Sequence, residues 1–142
     1  MAGRSARVFR TPLGWAGVAV SGQGVTRVVL PKKSRQTAER ELALPARCMR
    51  DSDPMPGAGP EFLKTAVALL RRAFSGERVI FDLPIDLECS TPFQREVWRA
   101  AESIPYGMTQ SYAWIAKRIK RPKAARAVGQ AMGANPVPLL VP

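Results

Sequence analysis

Six basic residues, Lys117, Arg118, Lys120, Arg121, Lys123 and Arg126, fall between Tyr112 and Arg126 with no acid among them. Cations at that density, on two helical stretches joined at Pro122, suit the phosphates of a nucleic acid. Residues 91–142 carry eight Lys or Arg against two Glu (Glu96 and Glu102), so six of the eleven net positive charges lie there. The bland alternative is a solvated basic surface. Other chemistries are excluded or weak. The chain has no histidine, which removes a Ser-His-Asp triad, a Cys-His pair and the commonest metal ligand. Its two cysteines, Cys48 and Cys89, are too few for a structural zinc site, so no metal and no cofactor is expected. Asp82 and Asp86 are a tempting carboxylate pair, but they alternate along a strand-like run beside Pro84, and a solvated strand face is the stronger reading.

The elements that would position the basic run follow from the rest of the chain. Apolar residues make up 46% of the 142, enough for a packed core in one domain or two small ones. The sequence pI of about 10.8 agrees with a nucleic-acid partner. No signal-peptide core or membrane-length apolar run is present, so a reduced, cytoplasmic chain with no membrane partner is expected. Arg7 to Leu30 reads as an antiparallel meander: a strand near Arg7–Arg10, a turn at Thr11–Gly14, a strand through Val18 and Val20, a turn at Ser21–Gly24, and a strand from Val25 to Leu30. Residues 31–60 hold five prolines and read as a loop, with a helical turn or two from Thr37 to Leu44. Cys48 is an ordinary thiol of that loop. Glu61 to Phe74 is a helix burying Phe62, Ala66, Leu69, Leu70 and Ala73, and Gly76 closes it. Val79 to Leu87 alternates as a strand.

Thr91-Pro92-Phe93-Gln94 carries a capping box and a first-turn proline, opening a helix with Phe93, Val97, Ala100, Ala101 and Ile104 inward. Ser111 caps the next helix, with Ile115, Ala116 and Ile119 inward. Pro122 ends it, and Lys123 to Met132 forms a recognition helix with Val128 and Met132 at its rear and Gly133 as its cap. Small residues in its first turn, Ala124 and Ala125, let the backbone approach a DNA strand, while Arg126 reaches further. The fold class is therefore α/β in composition and α+β in layout. A small N-terminal antiparallel sheet with a helix (residues 1–88) precedes an all-α helix-turn-helix domain (residues 89–142).

The run TPFQREVW, IPYGMTQSYAWIAKRI and PKAARAVGQAMGANPVPLLVP resembles the O6-alkylguanine-DNA alkyltransferase family, also called methylated-DNA–protein-cysteine methyltransferase. The likeness is close over residues 91–142 and looser over residues 61–87. It implies direct-reversal repair, in which a damaged guanine is flipped from the duplex and its alkyl group passes once to a thiolate, with O4-alkylthymine as a further substrate. By resemblance, Arg126 fills the gap left by the flipped base from the minor groove, and Tyr112 crowds the adjacent phosphate. Lys123, Ala124, Ala125 and Gly129 complete the DNA face. Asn135 braces the turn before the nucleophile, and Met132, Val137 and Pro138 line the alkyl pocket. The implied partner is double-stranded DNA carrying alkylated guanine, met by a monomer.

In the family the proline matching Pro142 is followed by the nucleophilic cysteine, then histidine and arginine. The expectation here is an acceptor just beyond Pro142, with selenocysteine as the hypothesis for its identity because a selenol ionises more readily than a thiol. A nonsense mutation, a frameshift and a deliberate cut are the competing explanations. Residues 1–142 alone are expected not to transfer alkyl groups, and to leave Leu139, Leu140 and Val141 exposed at a frayed end. Two other readings stand beside this one: a non-catalytic alkyltransferase-like lesion binder, and a helix-turn-helix regulator in the major groove.

Overall fold

The computed structural model describes residues 5–43, 60–86 and 90–140. The segment 44–59 with Cys48, the segment 87–89 with Cys89, and residues 141–142 lie outside the described residues. The chain divides into two units, Met1–Cys89 and Ser90–Pro142.

In the first unit β1 (Ser5–Thr11), β2 (Gly14–Val20) and β3 (Val25–Lys32) form an antiparallel meander in the order β1-β2-β3. The first turn is tight because Thr11, itself buried, donates its hydroxyl to the Gly14 carbonyl at 2.8 Å and accepts the Leu13 N–H at 3.2 Å. Gly14 has φ +132°, and a Cβ there would overlap the Lys32 carbonyl, so only glycine fits between turn and strand. Alternation then sorts the sheet's two faces. Gly17 lies under the Leu42 side chain of α1 (Arg35–Ala43), while Ala16, Val18 and Val20 are fully buried. Helix α2 (Pro60–Phe74) packs on β1 and β2. The loop expected over residues 31–60 is thus shorter: β3 runs to Lys32 and α1 follows at once, tied back by Lys32–Glu41 at 2.9 Å and by the Arg27 guanidinium on the Glu41 carbonyl at 2.8 Å.

Two readings of this unit are corrected. The buried stripe of α2 is Leu63, Ala66, Val67, Leu70 and Phe74, not the set centred on Phe62, Leu69 and Ala73. Both sets share Ala66 and Leu70, and the phase was decided by which side the sheet occupies. Residues 79–86 are extended but form no strand of the sheet. They dock through one parallel bridge, Val25 with Ile85, in which the Val25 N–H donates to Pro84 O and the Asp86 N–H to Val25 O, both at 2.9 Å. Pro84 has no N–H to extend the ladder. Asp86 accepts the Ser21 hydroxyl at 2.6 Å, a clamp on the β2–β3 turn.

The second unit holds α3 (Pro92–Glu102), α4 (Tyr112–Arg118) and α5 (Ala125–Gly133), each packed on the other two. The capping box forms as expected: the Thr91 hydroxyl accepts the Gln94 N–H at 3.1 Å, and the Gln94 amide oxygen accepts the Thr91 N–H at 3.0 Å. Its core is Val97, Trp98, Ala100, Ala101, Ile115, Ala116, Val128, Ala131, Val137 and Leu140. Phe93 and Ile104 are only half-buried, and Trp98, absent from the expected stripe, is at its centre. Among the described residues no helix is long and apolar enough to cross a membrane.

Candidate nucleic-acid interface

Ser111 caps α4 by accepting the Trp114 N–H at 3.1 Å, which places Tyr112 in the first helical turn with 52% of its surface exposed. Helix α4 ends before Pro122. Ile119 is its last half-helical residue, Lys120 turns left-handed at φ 62°, and Pro122 falls in the turn that leads to α5. Helix α5 starts at Ala125 with Ala124 at its cap and no side-chain cap bond, so its first-turn amides carry no local acceptor from Ala124.

The rear of α5 is Val128 and Ala131, with Met132 half-buried rather than an anchor. Buried Trp98 fixes that rear face: its indole N–H donates to the Ala131 carbonyl at 2.9 Å, so α3 holds the last turn of α5. Gly133 does not adopt a left-handed cap; the helix ends at Ala134, whose N–H reaches the Gln130 and Ala131 carbonyls.

Opposite this rear face the helical period exposes Arg126, Ala127 and Gln130. Arg126 is where the sequence expects it, in the first turn and facing solvent. Ala127 and Gln130 were missed; the signal for them was the period itself once Val128 and Ala131 are known to be buried. Ala124 and Ala125 are half-buried on the flank. Gly129 serves Tyr112: a Cβ at Gly129 would lie 3.1 Å from Tyr112 Cε2 and 3.2 Å from Cδ2, so the tyrosine ring rests on the bare helix backbone. The close approach that the missing side chain allows is thus made by that ring.

The basic run also sorts itself. Arg118 stacks over Trp114 at 5.3 Å, and Arg121 stacks over Phe93 at 5.5 Å and reaches Glu96 at 3.7 Å. Lys117, Lys120, Lys123 and Arg126 are exposed and enter no ion pair among the described residues. After α5 the Asn135 side chain accepts the Val137 N–H at 2.9 Å, an Asx-type turn that holds Asn135-Pro136-Val137. Pro138 and Met132 are half-exposed, whereas Val137 is fully buried and packs in the core of the second unit. Leu139, at φ 75°, turns outward, and Leu140 is buried, against the expectation that both are exposed; Val141 lies outside the described residues. No group of three or more His, Cys, Asp or Glu able to hold a metal occurs among the described residues.

Residues 92–142 match the family model described as 6-O-methylguanine DNA methyltransferase, DNA binding domain. The chain is 51% identical over 83 residues to the methylated-DNA–protein-cysteine methyltransferase of Mycolicibacterium paratuberculosis, covering 58% of this chain and 50% of that protein, so the aligned part spans about half of that relative's length. It is 39% identical over 136 residues to the protein of the same description from Mycobacterium bovis, covering 96% of this chain and 73% of that one. A crystal structure of Mycobacterium tuberculosis OGT in complex with DNA superposes with a TM-score of 0.69 at 36% identity, over 96% of this chain and 74% of that one. Similarity at that identity, running through both units and the helix pair that carries Tyr112 and Arg126, places the chain in the methylated-DNA–protein-cysteine methyltransferase family.

Proposed function

We propose that this protein repairs DNA by direct reversal, binding duplex that carries O6-alkylguanine through the minor groove and taking the alkyl group once, with no turnover. The observation that carries the reading is the exposed face of α5, where Arg126 stands in the first turn among small residues and Tyr112 rests on Gly129 beside it. Small side chains let the helix backbone close on the sugar-phosphate strand, and a single long cation spans the space a flipped base leaves. Tyr112, held in place by Ser111 and Gly129, crowds the phosphate next to that base. Lys123 binds the backbone, with Ala124 and Ala125 on its flank. Asn135 holds the turn that leads toward the acceptor, and Met132 and Pro138 face the alkyl group. No metal or cofactor takes part in this reading, and the protein acts as a monomer in the cytoplasm.

The acceptor in this reading is a cysteine or selenocysteine following Pro142, since residues 90–142 contain no cysteine. Mass spectrometry of the protein from its native source, before and after incubation with duplex containing O6-methylguanine, tests it. The expected result is one added methyl group on a residue after Pro142, while a polypeptide of residues 1–142 binds the same duplex and gains none. Methyl transfer to Cys48 or Cys89 would overturn the acceptor assignment, and no transfer by the native protein would overturn the reading.

A further inference from the structure

Two helices of this chain end in the same hydrogen-bonded motif. After α2 the Gly76 N–H donates to the Ala73 carbonyl and the Glu77 N–H to the Arg72 carbonyl, both at 3.1 Å, with Gly76 at φ 92°. After α4 the Lys120 N–H donates to the Lys117 carbonyl at 3.0 Å and the Arg121 N–H to the Ala116 carbonyl at 2.8 Å, with Lys120 at φ 62°. The left-handed position of this motif favours glycine, because a Cβ there crowds the following carbonyl. Gly76 follows the rule and Lys120 breaks it, so backbone geometry does not account for the lysine.

Local electrostatics do not account for it either. Lys117 and Arg118 already place cations in the last turn of α4, where the helix dipole favours them. No ion pair reaches Lys120 among the described residues, whereas its neighbour Arg121 is held by Phe93 and Glu96. In the sequence Lys120 is one of four basic residues spaced by three, Lys117, Lys120, Lys123 and Arg126, from the end of α4 through the turn to the first turn of α5, and all four are exposed.

We propose that Lys120 is a DNA-phosphate contact, a cation kept at a backbone position suited to glycine because the turn between α4 and α5 lies along the sugar-phosphate strand. This rests on the DNA-binding reading above. The test compares wild type, Lys120→Gly and Lys120→Arg by thermal unfolding and by titration of an unmodified DNA duplex over a series of salt concentrations. Lys120→Gly is expected to melt no lower than wild type, since it relieves the left-handed strain. Its slope of log affinity against log salt is expected to be shallower by about 0.9, the loss of one phosphate contact. The wild-type advantage then shrinks by about 3.5-fold between roughly 50 and 200 mM salt. Lys120→Arg, which keeps the charge, is expected to keep the wild-type slope. A wild type that binds with the same salt slope as Lys120→Gly would overturn the proposal and leave the DNA reading standing. A melting temperature for Lys120→Gly below that of wild type would remove the strain argument and the proposal with it. A wild type that does not bind duplex would overturn both.

Discussion

Replacing Arg126 by alanine removes an exposed side chain from the first turn of α5 and no described contact within the fold. The melting temperature is expected to stay within a degree or two of wild type, while lesion-duplex binding loses about 2 kcal/mol, the worth of a charge-assisted contact. Thermal unfolding beside a fluorescence-anisotropy titration reads both. Gly129→Ala separates the same two quantities another way. Alanine favours the helix by roughly 0.5–1 kcal/mol, but its Cβ would stand 3.1 Å from Tyr112 Cε2 and the ring must shift. Tyr112 is half-exposed, so the ring has solvent to shift into, and the variant is expected to fold as stably as wild type and to bind lesion duplex more weakly. Equal binding would mean that the position of the Tyr112 ring does not matter to DNA. At this scale Arg126 and the Ser111 cap were legible in the sequence, because a first-turn cation and an N-cap are local patterns. The Tyr112–Gly129 contact, the capture of Arg121 by Phe93 and Glu96, and the left-handed Lys120 were not, since each depends on how α3, α4 and α5 meet.

Among the elements, α5 owes its setting to α3 as much as to its own sequence. Trp98→Phe keeps an aromatic ring in the core but deletes the buried bond to Ala131 O. A cost of about 1–2 kcal/mol in urea unfolding is expected, together with weaker DNA binding, because the last turn of α5 loses its brace. Unchanged stability would show that the indole N–H contributes nothing net. Thr91→Ala, which opens the capping box of α3, is expected to cost about 1 kcal/mol and to leave DNA affinity alone. The capping box could be read from Thr91 and Gln94 because its partners are three residues apart. The role of Trp98 could not, because its acceptor is 33 residues away and the one-helix stripe ran through smaller apolar residues. The same limit explains residues 79–86. Alternation there is real, with Phe81, Leu83 and Ile85 half-buried and Asp82 and Pro84 exposed, but a strand also needs a neighbour to pair with, and β3 supplies one bridge.

Over the whole molecule, charge is unevenly spent: of a net charge of +11, six units sit in residues 91–142. Four of the cations there, Lys117, Lys120, Lys123 and Arg126, lie exposed along the helix-turn-helix without an acidic partner among the described residues. Such a surface binds any duplex weakly and in a salt-dependent way, so affinity alone does not distinguish a repair protein from a basic regulator. Discrimination between damaged and undamaged base does. The most direct measurement is competition between two duplexes of one sequence, with guanine or O6-methylguanine at a single position, at a salt concentration where phosphate contacts are weakened. Wild type is expected to bind the lesion duplex more tightly, whatever the flanking sequence, and Arg126→Ala to lose most of that preference. Equal binding of the two duplexes, or a preference that follows the flanking sequence and ignores the lesion, would contradict the repair reading.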